Sequence, residues 1–313
     1  MIYTITLNPA ADKELVVPSI EFDTVLRSEK VHVDYGGKGF NVSRLLMSLG
    51  APSVALGFAG GSSGELLRDG LESLGIDTDF TWVAGETRTN ISIVTEIPSH
   101  YVKVNEPGPT ISAQELDAMR QKVKKLARHG DWWVLAGSLP PGAPDTIYAD
   151  LIYTIQAAGG FVILDTSGAA LRHGCAARPF LAKPNDAEVH SLTGLPVNTL
   201  AERATAAKAV QAAGVSTVVL SLGKAGALLV ADQQVWQAES PTITESNPIG
   251  AGDSMVGGLV WALSQGMPLT EAVTWGIACG AATASMPGTA VGPKSLIESL
   301  QPQVKLRPLE TSG

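Results

Sequence analysis

The chain has 313 residues, enough for two domains or for one large α/β unit with an elaboration. Its 22 Lys plus Arg against 30 Asp plus Glu leave a net charge of −8, a surface that repels phosphate backbones. That excludes general nucleic-acid binding, though not a small basic pocket for one anionic substrate. Apolar residues make up 45%, so a sizeable core is expected, and the two cysteines, Cys175 and Cys279, stand in no CxxC or histidine-rich context. A zinc site or disulfide framework is therefore not expected, and a reducing, cytoplasmic setting is. No run approaches the roughly 18 uninterrupted apolar residues of a membrane span. The first residues, MIYTITLNPA, read as a strand rather than a leader peptide.

In chain order, short apolar runs predict buried strands at 3–7, 54–58, 132–136, 161–165, 180–182, 215–221 and 227–231. Between several of them apolar residues recur at helical spacing, as in Leu66, Leu67, Leu71, Leu74 and Leu116, Met119, Val123, Leu126. Alternating strands and helices predict an α/β fold with a mostly parallel sheet covered on both faces. Two stretches follow period two instead: 12–35, with Val31, Val33 and Tyr35, and 87–104, with Thr89, Ile91, Ile93, Val102 and Val104. Both read as antiparallel strands, meeting as a small β-sheet lid beside a main domain made of 1–11, 36–86 and 105–313. The segment 301–313 loses periodicity and reads as a loose tail.

The sharpest local signal is Gly250-Ala251-Gly252-Asp253-Ser254 ahead of an apolar helix. Unpaired amides at a helix N-terminus form an anion site, and a carboxylate there could take a proton from an attacking hydroxyl. Plain capping accounts for the same residues. Gly36-Gly37-Lys38-Gly39-Phe40-Asn41, before a helix expected from Ser43, is not a dinucleotide fingerprint; it could be a hinge, or backbone closing on a polar ligand with Lys38 and Asn41 as donors, and Gly223-Lys224, followed by Ala225, makes no P-loop. Asn185 and Glu188 open a helix after a strand, where they could orient water around magnesium or simply form a capping box. The stretch from Ser221 to Gly226 is a turn or a nucleotide loop. Arg88 is a phosphate partner or a surface residue, and Asp12 a ligand of sugar hydroxyls or a turn aspartate.

Eight motifs in order, TLNPAAD, GGKGFNVSR, TRTN, LAGSLPPG, LDTSG, KPNDAE, SLGKAGAL and GAGDSMVGG, together resemble the PfkB (ribokinase-like) family of carbohydrate kinases over nearly the whole chain. The resemblance implies a ribokinase-like three-layer α/β/α fold with a small antiparallel β lid. TLNPAAD, Lys38 within GGKGFN, and VNEPGP at 104–109 are similar to the 1-phosphofructokinase and tagatose-6-phosphate kinase branch. Asn247-Pro248 resembles the tagatose side of it.

What the resemblance implies for chemistry is an ATP-dependent phosphosugar kinase. Asp253 would be the base, and Gly250, Ala251 and Gly252 would frame the anion hole. Asp12, Gly37 and Asn41 would hold sugar hydroxyls, with Lys38, Arg88 and Ser138 near the sugar phosphate. Lys183, Asn185, Ser221, Gly223 and Gly226 would serve ATP, with Ile277 and Ala281 beside adenine and Mg2+ held through water near Asn185 and Glu188. K+ would sit on backbone near Asn247, Ile249, Thr283, Met286 and Gly288. The implied substrate is fructose 1-phosphate, with tagatose 6-phosphate and fructose 6-phosphate as alternatives, and the implied assembly a homodimer through the lid. A kinase of a free sugar would not need Lys38 and Arg88 in one pocket, and a non-catalytic sugar-phosphate binder would not need Asp253.

Overall fold

Apolar runs that face cover on both sides must alternate with helices that supply it. The computed structural model describes residues 1–95, 100–232 and 234–309. Its elements begin β1 (Ile2–Thr6), β2 (Ala10–Val16), β3 (Lys30–Gly36), α1 (Lys38–Ser48), β4 (Val54–Ala59), α2 (Gly61–Ser73), β5 (Asp77–Thr78) and β6 (Thr81–Trp82). They continue β7 (Arg88–Thr95), β8 (His100–Asn105), α3 (Ala113–Leu126), β9 (Trp132–Ala136), α4 (Ile147–Ala157), β10 (Phe161–Asp165), α5 (Gly168–Ala176) and β11 (Leu181–Ala182). The remainder is α6 (Asp186–Thr193), α7 (Leu200–Ala212), β12 (Thr217–Ser221), β13 (Ala227–Ala231), β14 (Gln234–Glu239), α8 (Ala251–Ser264), α9 (Leu269–Ala284), α10 (Lys294–Leu300) and β15 (Lys305–Pro308). No helix among the described residues is long and apolar enough to cross a membrane.

The main sheet runs β15-β14-β13-β12-β11-β10-β9-β1-β4-β5, with β6 also on β4. Every pairing from β12 to β5 is parallel, and the three from β12 to β15 are antiparallel. The strand alternation splits the core into two layers. Ile5, Leu135 and Leu164 face the helices α3, α4, α5 and α7, while Val134, Ile163 and Val219 face α1, α8 and α9. The α/β/α layering expected of the sequence is thus in place. Because the central strands run in one direction, Thr6, Ala136, Asp165, Ala182 and Ser221 all end at one edge. Open α/β sheets bind ligands at that edge.

The two period-two stretches do meet, as a separate sheet of order β3-β2-β7-β8. Each hairpin is antiparallel, while the join between them, β2 on β7, is parallel. Residues 96–99, within the expected lid segment, lie outside the described residues. One face of this sheet carries Asp34, Asp12, Asn90 and Asn105 in one cross-strand row. The other carries the rows Val33, Lys13, Ile91, Val104 and Val31, Leu15, Ile93, Val102, and Val31 and Val104 are 51% and 58% exposed.

Two expectations change. The segment 301–313 is not wholly loose: residues Lys305–Pro308 pair with β14, and Val304 and Leu306 pack against the core, while 310–313 lie outside the described residues. Helix α1 begins at Lys38 rather than Ser43, with Gly37 as its N-cap, so the glycine-rich loop is largely a helix start. Residue 39 of that helix is glycine because a Cβ there would stand 2.7 Å from Thr6 Oγ1 and 3.1 Å from the Ile5 carbonyl oxygen.

Helix α8, which carries the GAGD motif, is fixed by glycine contact with α9. A Cβ on Gly258 would sit 2.7 Å from Cys279 Sγ and 2.9 Å from the Trp275 carbonyl oxygen, and one on Gly276 3.0 Å from the Met255 carbonyl oxygen. Gly258→Ala is expected to cost about 1–3 kcal/mol by overpacking, read as a lower urea midpoint. An unchanged midpoint would mean that the two helices part without cost.

Candidate active site

Two helix starts face each other across the sheet edge. Gly250 has φ 77°, left-handed backbone that a glycine adopts freely, and it caps α8. The first intrahelical bond runs from the Ser254 amide to the Gly250 carbonyl at 2.8 Å, which leaves the amides of Gly252 and Asp253 before it. A Cβ on Gly252 would lie 3.7 Å from Lys183 Nζ, so bare backbone and an ammonium group meet at this point. From α1, Asn41 Nδ2 donates to Asp253 Oδ2 at 2.8 Å.

Asp253 is 8% exposed, and its pKa is pushed up to about 6, first by burial and then by the nearby Asp165 carboxylate. Lys38, Asn41 and Lys183 pull the other way. Lys38 Nζ lies 3.1 Å from Asp165 Oδ1, and Lys183 Nζ lies 3.4 Å from the same oxygen. Burial opposes the charge on Lys38, but the carboxylates of Asp165 and Asp253 outweigh it and raise its pKa. Asp165 is absent from the residues singled out on sequence. A polar residue closing a buried strand, inside the LDTSG motif, is the signal that could have found it.

On the adjoining side, Asp12 projects from β2, and Asn90 Nδ2 donates to its Oδ1 at 2.7 Å. Burial raises the pKa of Asp12 against the effects of Asn90, Lys103 and Arg88. Asn90, also missed on sequence, keeps a buried Oδ1 without a partner. Asp12, Asn41 and Gly250 line one cleft together with Asp34, Arg44 and Ile249. Gly36 passes so close to the Asp12 carboxylate that a Cβ would overlap it. Arg88 donates to the carbonyls of Asn8 at 2.9 Å, Glu106 at 3.1 Å and Pro9 at 3.4 Å, bracing the crossings between the two sheets. Ser138 is exposed just past β9.

Farther along the edge, Asn185 and Glu188 do form the capping box. Asn185 Oδ1 accepts from the Glu188 amide and Glu188 Oε2 from the Asn185 amide, each at 2.9 Å. Ser221 lies beside them, its amide donating to the Pro184 carbonyl at 2.9 Å. Gly223 and Gly226 both have positive φ and bound the turn into β13. Ile277 and Ala281 are buried in the packing of α9. Among the described residues no group of three or more His, Cys, Asp or Glu is arranged to hold a metal. Magnesium keeps its waters and needs one or two carboxylates plus substrate phosphates, and Glu188 is a half-buried carboxylate at this edge. Segment 247–249 is tied to 283–288: Asn247 Nδ2 donates to the Gly288 carbonyl at 2.8 Å, and the Asn247 amide to the Ala284 carbonyl at 3.0 Å. The Met286 amide donates to the Thr283 carbonyl at 3.0 Å, and the Ile249 amide to Asn247 Oδ1 at 3.0 Å.

Comparison with known proteins gives the chain's family and relatives. The family model for pfkB family carbohydrate kinases matches residues 4–295. A 1-phosphofructokinase of Bacillus subtilis (strain 168) is 35% identical over 306 residues, 98% of this chain and 99% of that protein. A tagatose-6-phosphate kinase of Staphylococcus epidermidis is 34% identical over 262 residues, 83% of this chain and 84% of that protein. The structure of phosphofructokinase-2 from Escherichia coli in complex with potassium matches with a TM-score of 0.92 at 30% identity, over 96% of this chain and 98% of that one.

The raised pKa of Asp253 makes stability depend on pH. The unfolded carboxyl ionises near 3.8 and the folded one at about 6, so the folded state binds more protons in between, and stability falls as pH rises through that window. Asp253→Asn removes the buried charge and is expected to be the more stable protein at pH 7.5, by at most about 3 kcal/mol. Urea denaturation at pH 7.5 and pH 4 checks this; a gain as large at pH 4 would remove ionisation as its cause.

Proposed function

Because the chain belongs to the pfkB family of carbohydrate kinases, which transfer phosphate from ATP, we propose that its acceptor is a ketohexose phosphate and its reaction the conversion of fructose 1-phosphate to fructose 1,6-bisphosphate. The observation that carries the chemistry is Asp253, a buried carboxylate in the first turn of α8, held by Asn41 and flanked by Lys38 and Lys183. The choice of substrate rests on the 35% identity to a 1-phosphofructokinase over almost the full length of both chains.

In this reading the sugar hydroxyl gives its proton to Asp253, its oxygen bonds to the γ-phosphorus, and the bond to ADP breaks. Charge spreading over the transferring group meets the amides of Gly252 and Asp253. Asp12, Gly37 and Asn41 hold hydroxyls. Lys38, Arg88 and Ser138 face the sugar phosphate; Arg88 has three of its five N–H donors on carbonyls, which braces the crossings between the two sheets and leaves two for the phosphate. Lys183, Asn185, Ser221, Gly223 and Gly226 take the nucleotide, with α9 near Ile277 and Ala281 toward adenine. Magnesium supplies neutralisation of the ATP phosphates when bound, and Glu188 with Asn185 would hold its waters. Carbonyls near Asn247, Ile249, Thr283, Met286 and Gly288 would take potassium, a reading supported by the potassium complex of the Escherichia coli relative. Two buried free thiols suit a reducing cytoplasm.

We read the four-stranded sheet as a lid whose polar row, Asp12, Asn90 and Asn105, closes over the sugar and excludes water. Its opposite face bears two rows of Val, Leu and Ile broken only by Lys13, with Val31, Val33, Val102 and Val104 exposed, which fits a second copy of the chain. A dimer is expected by light scattering, and Val104→Asp is expected to yield monomer; a wild-type monomer at working concentration would overturn the assembly.

The functional test is coupled ADP release with fructose 1-phosphate, tagatose 6-phosphate, fructose 6-phosphate, fructose and ribose. Fructose 1-phosphate is expected to lead in kcat/KM by tenfold or more, and Asp253→Asn to lose about 10²–10⁴ in kcat. A lead for tagatose 6-phosphate would change the substrate but not the chemistry. Turnover of free sugars alone would overturn the phosphosugar reading.

A further inference from the structure

Asp165 ends the central strand β10 and is 1% exposed. Its Oδ1 is shared by two ammonium groups, Lys38 at 3.1 Å and Lys183 at 3.4 Å, and its Oδ2 is buried without a partner. The lysines come from different directions. Lys38 stands in the first turn of α1, beside Asn41 and the cleft containing Asp12, whereas Lys183 follows β11 and reaches the first turn of α8 at Gly252. One buried oxygen therefore joins the two sides of the phosphoryl path.

The charges balance in a way that bears on proton transfer. Lys38, Lys183, Asp165 and ionised Asp253 sum to zero; once Asp253 has taken a proton the four carry +1, as negative charge gathers on the transferring group. Without the Asp165 charge the same groups would carry +1 before reaction, and two cations would hold the Asp253 carboxylate in its ionised form as a poorer base. We propose that Asp165 is a positioning residue that aims Lys38 and Lys183 at the two ends of the phosphoryl path and sets the basicity of Asp253 without touching substrate. This rests on the reading of Asp253 as the base. The groups acting on Asp253 are Asn41 and Lys38 from α1, Asp165 from β10 and Lys183 after β11, with Glu188 acting on Lys38.

The test is Asp165→Asn, which keeps the shape and removes the charge. With saturating ATP and magnesium, kcat is expected to fall at least tenfold at pH 7.5. The acid limb of kcat/KM for fructose 1-phosphate is expected to move down by at least half a pH unit. Lys38→Met in the wild-type background should move that limb up, and it serves as the test if Asp165→Asn does not fold. A second arm needs no substrate: the stability gained on Asp253→Asn at pH 7.5 should shrink by half or more in the Asp165→Asn background. Loss of activity with an unmoved limb and an unchanged gain would make Asp165 merely structural and overturn the proposal, as would an unmoved limb in Lys38→Met. A shrunken gain in a protein that phosphorylates none of the sugars would support the role of Asp165 and reject the substrate reading alone.

Discussion

Strand direction is the constraint on which this structure depends. A parallel sheet sends every central strand out at the same edge, and the chain must then turn into cover for one face or the other. Thr6, Ala136, Asp165, Ala182 and Ser221 end there, far apart in sequence and adjacent in space. Most of the motifs are the turns that follow these ends. Their order along the chain is a consequence of topology, and their chemistry of being gathered at one rim.

The rim gains its electrostatic character from α1 and α8, whose starts face it and leave amides unpaired by geometry rather than by defect. Holding them there needs backbone closer than side chains permit, which is why α8 meets α9 through Gly258, Gly276 and Gly280. The same close packing buries Asp253, and burial is the largest influence on its affinity for a proton. Packing and acid–base chemistry are thus one design: loosening the helix pair would admit water and return the carboxyl toward its ordinary range.

The sequence was most legible where periodicity is strong. The strands at 132–136, 161–165 and 227–231 have the bounds that the apolar runs predict, and GAGD does open a helix. It was least legible where tertiary contact overrides local preference. Glycine at 36, 37 and 39 disfavours helix, yet α1 starts at Lys38, and the glycine at 39 is what lets it lie against the strand beneath, which leaves no room for a Cβ there. The parallel join of β2 and β7 is invisible in either stretch alone, since each shows only alternation. Asn185 and Glu188 had two readings, and their geometry realises the capping box while leaving the second open. Asp165 and Asn90 passed unnoticed because a single polar residue at a strand end or in an alternating strand carries no pattern; what marks them is whom they meet.

The four-stranded sheet has a further consequence for ancestry. Its two hairpins come from segments separated by α1, β4 and α2, and they are joined only by β2 on β7. No single insertion could have delivered the sheet whole, and no single deletion could remove it cleanly. Losing either hairpin would leave the other as two strands with a bare inner edge, marginal alone and open to pairing with a neighbouring molecule. Lineages carrying this arrangement are therefore expected to shorten or lengthen the hairpin tips while keeping both hairpins, so that the join between them is inherited as a unit even though no continuous stretch of chain encodes it.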